Sequence, residues 1–461
     1  MAKNLWYCNL FLKIILIQNI LFKNIFCRSK EEWKTRTIYQ LLTDRFASST
    51  NSGTCNDLSQ YCGGNYQGIL QKLDYIEGMG FNAIWISPII ENVNNNWTYH
   101  GYSGINFYRL NSHFGTEQDL INLITECHKR DIWIMVDVVA NHIGNVGNDF
   151  NQVDPLNRAE HYHDYCEIDD WNNLWKVENC RLNGLPDIKQ ENNWVTYQLV
   201  YWIYYLVNRY NIDRIRIDTI LEVPKWFWDK FGSSASVFQI GEAFHGDINR
   251  VYDYQNHLDS IFNYPLYYII LRCFTGSFKE LGEYYNELRH KYPNKEFMAN
   301  FIENHDNQRF LHQFNNNIAQ FTNAITFILL WEGIPVHYYG GEQYFSGGDD
   351  PNNREILWNN YNTDSELYKI IGKINNLRKK VNIWNYEVVQ RNCEDNFYVF
   401  TRGNVLACFS NNEGGNYVIN NHEFSNGDKL CNILEDDDCV FVENNVISVN
   451  IETYPKVYVK F

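Results

Sequence analysis

The sequence lacks an excess of positive charge, and beyond its N-terminus it lacks long apolar runs. After about residue 27, no stretch reaches the roughly 20 apolar residues that a helix needs to cross a bilayer. The 461 residues include 39 Lys and Arg against 55 Asp and Glu, a net charge of −16. This balance argues against nucleic acid or an anionic membrane surface as partner, whereas a neutral ligand such as a sugar is unaffected by it.

The chain also lacks any CxxC pair, although it has twelve cysteines. Cytosolic proteins rarely collect so many cysteines without a metal motif, so we expect an oxidising compartment. The short loop from Cys55 to Cys62 is typical of a disulfide hairpin, and Cys166 and Cys180 bracket a second polar loop. The sequon Asn96-Trp97-Thr98 is consistent with secretion. We therefore predict a secreted protein, extracellular or in the cell wall.

The first 27 residues are interpreted as a signal peptide. Lys3 precedes an apolar run over residues 11–26, although Lys13, Asn19 and Lys23 interrupt it. An uncleaved anchor is the alternative. On the first interpretation the mature chain has no membrane span, and we expect it to be a monomer.

Aromatic residues make up 16% of the chain. Sugar sites use flat aromatic faces because one face of a pyranose is apolar, but most of these rings must belong to the core.

From residue 37 to residue 341, short apolar runs alternate with longer amphipathic segments. The runs cover residues 37–42, 83–87, 132–139, 212–217, 237–240, 260–262, 297–302 and 334–339, and helix candidates include 67–79, 116–130 and 194–210. Apolar strands separated by helices predict a parallel sheet with both faces covered. Eight such strands over some 300 residues predict an α/β fold, a (β/α)₈ TIM barrel.

Two parts of the chain depart from this alternation. Between Asn141 and Trp194 the sequence is polar and rich in Asn, Asp and His, which indicates a functional loop or a small extra domain. After about Lys380, short runs separated by Asn and Gly turns predict an antiparallel β-domain.

Acidic residues follow four of the predicted barrel strands. These are Asp137, Asp218, Glu242 and Asp306. The active site of a barrel lies at the C-terminal ends of its strands. A lone Asp after a strand is usually a helix N-cap. Four carboxylates in one mouth repel each other, so such a cluster indicates a function.

Cleavage of a glycosidic bond would use this cluster. A retaining mechanism needs one carboxylate as nucleophile and one carboxylic acid to protonate the leaving oxygen. Asp218 suits the nucleophile, because Arg216 would keep it ionised. Glu242 suits the acid/base, its pKa raised by carboxylate neighbours. Asp306 would bind the hydroxyls of the distorted sugar.

Four segments carry a specific family resemblance. They are Asp137-Val-Val-Ala-Asn141-His142, Arg216-Ile-Asp218-Thr219, Gly241-Glu242-Ala243 and Glu303-Asn304-His305-Asp306-Asn307, with Gly184-Leu-Pro-Asp187 as a fifth. Over about residues 33–380 the chain closely resembles the α-amylases of retaining glycosidase family thirteen, secreted fungal type. The resemblance implies a barrel over 28–141 and 196–380, an inserted domain B over 142–195 and a C-terminal antiparallel β-sandwich over 381–461.

The same resemblance implies residue roles. It makes Asp218 the nucleophile, Glu242 the acid/base and Asp306 the stabiliser of the transition state. Further sugar contacts implied are His100, Tyr102, His142, Arg216, His305, Asp350 and Arg354. The substrate implied is an α-glucan polysaccharide or oligosaccharide.

The resemblance also implies a structural Ca²⁺ and part of a disulfide framework. Ca²⁺ takes 6–8 oxygen ligands, and the positions that match the family's ligands are Asn141, Glu178, Asp187 and the backbone carbonyl of Glu222. The implied disulfides are Cys55–Cys62 and Cys166–Cys180. The two cysteines of a further fungal disulfide are replaced here by Tyr252 and Tyr292, so that disulfide is missing. Cys431 and Cys439 stay unassigned, and Cys127 and Cys273 are expected to be buried thiols.

Two departures from the family pattern affect sugar binding: the first lies on the acceptor side of the site, and the second removes a stacking surface. Leu221 and Glu222 replace the usual Lys-His pair, and Ser103 replaces a Trp. We therefore weigh three functions: an endo-acting α-1,4-glucan hydrolase, an α-glucanotransferase that remodels cell-wall glucan, and a non-catalytic glycan-binding protein.

Overall fold

The computed structural model describes residues 29–50, 55–411 and 413–460, and the predicted signal peptide lies outside them. The strands are β1 Ile38–Gln40, β2 Ala83–Ile86, β3 Ile90–Asn92, β4 Gly104–Leu110, β5 Trp133–Val138, β6 Arg214–Ile217, β7 Phe238–Gly241, β8 Ser260–Ile261, β9 Ala299–Asn300, β10 Ile334–Tyr338, β11 Val389–Cys393, β12 Phe397–Arg402, β13 Val405–Ser410, β14 Gly415–Ile419, β15 Lys429–Asn432, β16 Cys439–Glu443, β17 Val446–Ile451 and β18 Lys456–Val459.

The α-helices of the described residues lie between and after the barrel strands. They are α1 Thr43–Phe46, α2 Tyr66–Gln71, α3 Leu73–Gly78, α4 Glu117–Lys129, α5 Leu174–Asn179, α6 Asn193–Tyr210, α7 Lys225–Ala235, α8 Ile248–Val251, α9 Tyr264–Cys273, α10 Lys279–Lys291, α11 Phe310–Gln313, α12 Ile318–Leu330 and α13 Glu366–Val381.

Eight parallel strands form the predicted barrel. Their order is β8-β7-β6-β5-β2-β1-β10-β9, and a parallel bridge between Phe262 and Ala299 joins its two ends. Every residue of these eight strands is buried. The burial of both faces explains why the strands are continuous apolar runs in the sequence.

The register of neighbouring strands places the acidic positions next to one another. Asp137 of β5 pairs with Arg216 of β6, and Ile217 pairs with Gly241 of β7. Asp218 and Glu242, one residue further along, therefore leave the barrel side by side.

The polar insertion packs over the C-terminal end of β5. The backbone N–H of Ile188 donates to the carbonyl of Asn141 at 2.8 Å, and a β-bridge joins His142 to Asp187. A disulfide links Cys166 to Cys180 within it. The insertion thereby forms one wall above the strand ends.

The C-terminal region is the predicted antiparallel β-domain. Its sheet has the order β11-β12-β13-β18-β15-β16-β17-β14. The sheet folds over itself into two layers. Phe397 of β12 stacks across them on Tyr417 of β14, with ring centroids 3.8 Å apart. The side chains between the two layers form one apolar cluster that includes Leu406, Leu430 and Ile447.

The local differences from the predictions are small. The single helix predicted over residues 67–79 is two helices, which meet at the non-helical Lys72. Strand β9 is shorter than predicted, because Lys295–Phe297 forms a 3₁₀ turn. Cys55–Cys62 and Cys431–Cys439 are disulfides, while Cys127 and Cys273 are buried thiols. Of the described helices, none has both the length and the apolarity to cross a membrane.

Candidate active site

The two central carboxylates are held by the ends of adjacent barrel strands. The backbone N–H of Asp218 donates to the carbonyl of Val138 at 3.0 Å, and that of Glu242 donates to the carbonyl of Ile217 at 2.8 Å. These bonds continue the parallel ladder past the last strand residue, so both side chains start from rigid backbone.

A single guanidinium joins these carboxylates. Arg216 Nη1 lies 2.6 Å from Asp218 Oδ1, and its Nη2 lies 2.6 Å from Glu242 Oε1. Nη1 also contacts both oxygens of Asp137 at 3.0 and 3.1 Å. Arg216 is almost fully buried. A planar fork of this kind fixes the separation and direction of the carboxylates it binds.

Thr219 binds the same two carboxylates from the other side. Its hydroxyl donates to Asp218 Oδ2 at 3.0 Å, and its backbone N–H donates to Glu242 Oε2 at 3.2 Å. The residue has φ +48°, a left-handed conformation that is unfavourable for a β-branched side chain. Backbone strain of this kind is found where a site holds a particular geometry.

Glu242 is poised to hold a proton. Burial raises its pKa well above the usual range, and the charges of Asp218 and Asp306 raise it further, whereas Arg216 lowers it. The sequence indicates a raised pKa from the carboxylate neighbours alone, but burial is the largest cause of the shift.

A hydrogen-bonded chain fixes the ring of His305. Gln40 Nε2 lies 2.8 Å from its Nδ1, and its Nε2 lies 2.7 Å from the hydroxyl of Tyr102. That hydroxyl donates to Asp137 Oδ2 at 2.7 Å. Burial and the positive charges of Arg354 and Arg216 keep the pKa of His305 well below its usual range. The imidazole is therefore neutral, and with Gln40 as donor its Nε2 carries the proton.

Two further histidines are neutral and face the cleft. Burial lowers the pKa of His100 to about 3, and its Nδ1 accepts the backbone N–H of Tyr102 at 3.0 Å. Burial also lowers the pKa of His142, whose Nε2 has no hydrogen-bond partner among the described residues. Each ring can offer an Nε2–H to a ligand.

At the far end of the cleft, Arg354 orders two acids. Its Nη2 lies 3.6 Å from Asp306 Oδ1, and its Nη1 lies 3.2 Å from Asp350 Oδ1. The Arg354 Nε donates to the backbone carbonyl of His305 at 3.0 Å. Asp306 remains partly open to solvent.

These side chains surround a cleft of about 470 Å³. The predicted residues that line it are His100, Tyr102, His142, Asp218, Glu222, Glu242, Asp306, Asp350 and Arg354. Arg216 and His305 are buried behind this lining, and Leu221 packs against the core instead.

Sequence reasoning did not assign several residues of the cleft wall. Trp171, Leu182, Asn183 and Leu185 come from the insertion, and Phe244 follows Glu242. Phe244 lies at a strand end, two residues after a predicted catalytic acid, which is a signal that could have found it. The insertion has no periodic pattern, so nothing in it marked Trp171.

Three of the four predicted metal ligands, Asn141, Asp187 and the carbonyl of Glu222, lie together beneath the insertion. One atom of the Asn141 amide lies 3.1 Å from Asp187 Oδ1 and 3.2 Å from the carbonyl oxygen of Glu222. As nitrogen it donates to both, and as oxygen it completes three convergent oxygens, a donor set suited to Ca²⁺. Glu178 is half-buried nearby in α5, and α5 packs on the turn that contains Glu222. Clusters of three or more His, Cys, Asp or Glu able to hold a metal are absent from the described residues.

Comparison with known proteins identifies the family. Residues 40–388 match the family described as alpha amylase, catalytic domain. The chain belongs to the α-amylase family. It is 38% identical over 431 residues to an alpha-amylase of Saccharomycopsis fibuligera, which covers 88% of this chain and 87% of that protein. It is 42% identical over 401 residues to alpha-amylase 2 of Schizosaccharomyces pombe, covering 82% of this chain and 67% of that one.

Solved structures agree with this assignment. The alpha-amylase from Malbranchea cinnamomea superposes with a TM-score of 0.91 at 34% identity, over 94% of this chain and 98% of that one. As a member of the α-amylase family, the protein is a glycoside hydrolase. The family typically binds a structural calcium ion, and the oxygens around Asn141 fit that ion.

Proposed function

We propose that this protein is an endo-acting hydrolase of α-1,4-glucosidic bonds in starch-like or glycogen-like α-glucans, with retention of anomeric configuration. The observation that carries the proposal is the shared guanidinium, which holds Asp218 and Glu242 side by side at the floor of the cleft. Two closely spaced carboxyls, one ionised and one protonated, are what a retaining glycosidase requires.

In the first step, a carboxylate oxygen of Asp218 attacks the anomeric carbon and the glycosidic bond breaks. Glu242 gives its proton to the leaving oxygen, and a covalent glycosyl-enzyme forms. The Asp218 carboxylate is ready to attack because Arg216 and Thr219 each donate to one of its oxygens. Glu242 is ready to donate because its burial favours the protonated acid.

In the second step, Glu242 removes a proton from water, and the water oxygen attacks the anomeric carbon. The bond to Asp218 breaks and the acid form of Glu242 is restored. Positive charge on the sugar develops in both transition states. Asp306, which stays partly exposed at the cleft, supplies a nearby negative charge and accepts hydrogen bonds from the sugar hydroxyls.

Neutral donors and one aromatic ring bind the sugar next to the cleaved bond. His100 and His142 each offer an Nε2–H, and Tyr102 offers a ring face. Neutral imidazoles suit this task, because they donate without opposing the positive charge that develops on the sugar. Asp350 and Arg354 bind the sugar at the far end of the cleft.

The calcium ion would be held by Asn141, Glu178, Asp187 and the backbone carbonyl of Glu222. When bound it supplies positive charge that ties the insertion to the barrel. The amide of Asn141 then turns its nitrogen toward His142 Nδ1, 3.2 Å away. That contact would leave the proton of His142 on Nε2.

Secretion is consistent with the disulfides and the glycosylation sequon of the chain. The described residues contain three disulfides, which is consistent with an extracellular location. Asn96 of the sequon is exposed, so a glycan could be attached there. The signal peptide and the monomeric state stay predictions.

A glucanotransferase is the second candidate, and the acceptor side of the cleft favours it. Glu222 lines the cleft in place of the family's histidine, and burial together with the charge of Asp218 raises its pKa to about 8. A protonated carboxyl at this position offers a glucan acceptor a different hydrogen-bond donor from the usual imidazole. The complete carboxylate set argues against a protein that only binds glycans.

The deciding experiment is chromatography of the products formed from maltoheptaose, with the Glu242→Gln protein as blank. Shorter oligosaccharides alone support the hydrolase. Products longer than the substrate replace the proposal with a transferase. No product beyond the blank contradicts both.

A further inference from the structure

We infer that the exposed face of α6 is a second, non-catalytic binding surface for an α-glucan chain. We call this face the aromatic stripe; it consists of Trp194, Tyr197, Tyr201 and Tyr204. Their exposed fractions are 43%, 62%, 47% and 41%. The inference rests on the proposed function only for the identity of the ligand.

The spacing of the stripe places its rings on one side of the helix. At about 100° per residue, positions i, i+3, i+7 and i+10 fall within an arc of about 80°. The buried residues of α6, such as Leu199 and Leu206, lie on the opposite side and pack on the barrel. The stripe therefore faces straight outward, and core packing does not account for its rings.

Single exposed aromatic residues are ordinary, but a row of them is not. The rings of Tyr197 and Tyr201 are within 12° of parallel, with centroids 6.2 Å apart. Trp194 is braced from behind by His161, at 4.4 Å between ring centroids. From Trp194 to Tyr204 the row is about 15 Å long. Exposed rings in a row, two of them parallel and one braced, can stack on successive sugars of one extended chain.

The charges around the aromatic stripe favour an uncharged ligand. Helix α6 contains no Asp or Glu, and its single charged side chain, Arg209, is bound to Glu117 at 2.9 Å. The chain as a whole has a net charge of −16. A helix face without acidic side chains suits an uncharged partner better than a cation.

Hydrogen-bonding groups stand beside the rings. An open groove of about 540 Å³ runs between α6 and α7, and Tyr197 forms part of its wall. Asn193, Thr196, Lys230 and Ser233 also line it. Aromatic faces flanked by hydroxyl, amide and ammonium groups match the two sides of a pyranose, an apolar C–H face and a rim of hydroxyls.

The position of the stripe suits a polymer that also enters the cleft. Helix α6 begins where the insertion ends, at the barrel face that bears the active site, and runs down the outer wall. Trp194 is thus the end of the stripe nearest the cleft. A second copy of this chain is a poorer occupant, because a stable interface buries about 800 Å² per partner and has an apolar core.

The test compares variants in a Glu242→Gln background, so that the glucan is bound but not cut. The stripe variant is Tyr197→Ser/Tyr201→Ser/Tyr204→Ser. Its matched control is Tyr386→Ser/Tyr454→Ser, which alters tyrosines of similar exposure, 48% and 45%, outside the stripe. A Tyr→Phe triple variant at the stripe positions keeps the ring faces. Affinity for amylopectin is measured by electrophoresis in gels that contain it.

We expect the serine triple variant to bind amylopectin about fivefold more weakly, and the phenylalanine triple and the control to stay within about twofold of the parent. With Glu242 restored, the serine triple should cleave maltoheptaose at the parental rate. Equal amylopectin affinity of serine triple and parent would overturn the inference. So would a dimeric parent that the serine substitutions make monomeric. Failure of the parent to cleave maltoheptaose would instead count against the proposed function, and the binding comparison would remain valid.

Discussion

The backbone N–H of Thr219 donates to Glu242 Oε2 at 3.2 Å, while the hydroxyl of the same residue donates to Asp218. One strained residue thus sets the mutual position of the two carboxyls, on the side opposite to Arg216. Because the N–H belongs to the backbone, every substitution except proline keeps it, but only a hydroxyl side chain keeps the second bond.

Thr219→Gly should therefore separate stability from activity. We expect the unfolding free energy to rise by about 1 kcal/mol, because glycine adopts φ +48° without strain. We expect kcat to fall about tenfold, because Asp218 Oδ2 loses a donor. Thr219→Ser keeps that donor and should retain kcat within about threefold. Denaturant unfolding and kinetics on maltoheptaose check both, and a glycine variant with parental kcat would contradict the role of the hydroxyl.

Glu242→Gln should abolish turnover without harming the fold. Loss of a general acid typically costs about 10²–10⁴ in rate. The melting temperature should fall only slightly: glutamine is close in shape to glutamic acid, but its NH₂ group must face Arg216 Nη2 or the backbone N–H of Thr219, where a carboxyl oxygen accepts in the parent. Hydrolysis rates and thermal melts measure the two effects. Turnover at a tenth of the parental rate or more would refute the acid/base assignment.

The alkaline limb of kcat/KM should report the proton on Glu242 and lie above the ordinary glutamate range. The charge of Asp306 opposes the ionisation of Glu242 and so raises its pKa. In Asp306→Asn this opposition is gone, so the pKa of Glu242 falls. The alkaline limb of the kcat/KM profile of this variant, measured on its remaining activity, should therefore move to lower pH. Profiles on an activated aryl maltoside test this, and a limb that stays in place would mean that another group sets it.

Removal of calcium should destabilise the protein. An ion that binds only the native state at 100 times its Kd adds about 2.7 kcal/mol. Chelation should therefore lower the melting temperature by several degrees, and added Ca²⁺ should restore it. Asp187→Asn should melt lower and respond less to the chelator. Identical melts with and without chelator would contradict the proposed site at Asn141 and Asp187.

The sequence made the barrel and its acids predictable for physical reasons. Strands buried on both faces are apolar throughout, so the polar residue that follows each strand, such as Asp218 or Glu242, marks the strand end. Positions within irregular backbone carry no such mark. The left-handed conformation of Thr219 and the place of Trp171 on the cleft wall depend on tertiary contacts that no local pattern encodes.

Aromatic composition alone does not separate core rings from surface rings. Most rings are indeed in the core, such as Trp202 of α6. The same helix also carries exposed rings at helical spacing on its opposite face, and the two sets can be separated only by knowing which face packs on the barrel. Arg216 is buried because it belongs to a strand that is covered on both faces, and its contact with the sugar stays a prediction.

The Cys166–Cys180 disulfide stabilises its own loop and also two parts of the site. The segment it closes contributes Trp171 to the cleft wall and carries Glu178 toward the calcium position. Arg250 of α8 donates to the carbonyl of Trp171 at 3.2 Å, so the loop is anchored at its tip as well as at its base. Reduction would loosen the wall and an ion ligand together. On the proposed extracellular location, the oxidation that forms this disulfide also completes the cleft wall, whereas a reduced molecule would keep Asp218, Glu242 and Asp306 in place beside a loosened cleft.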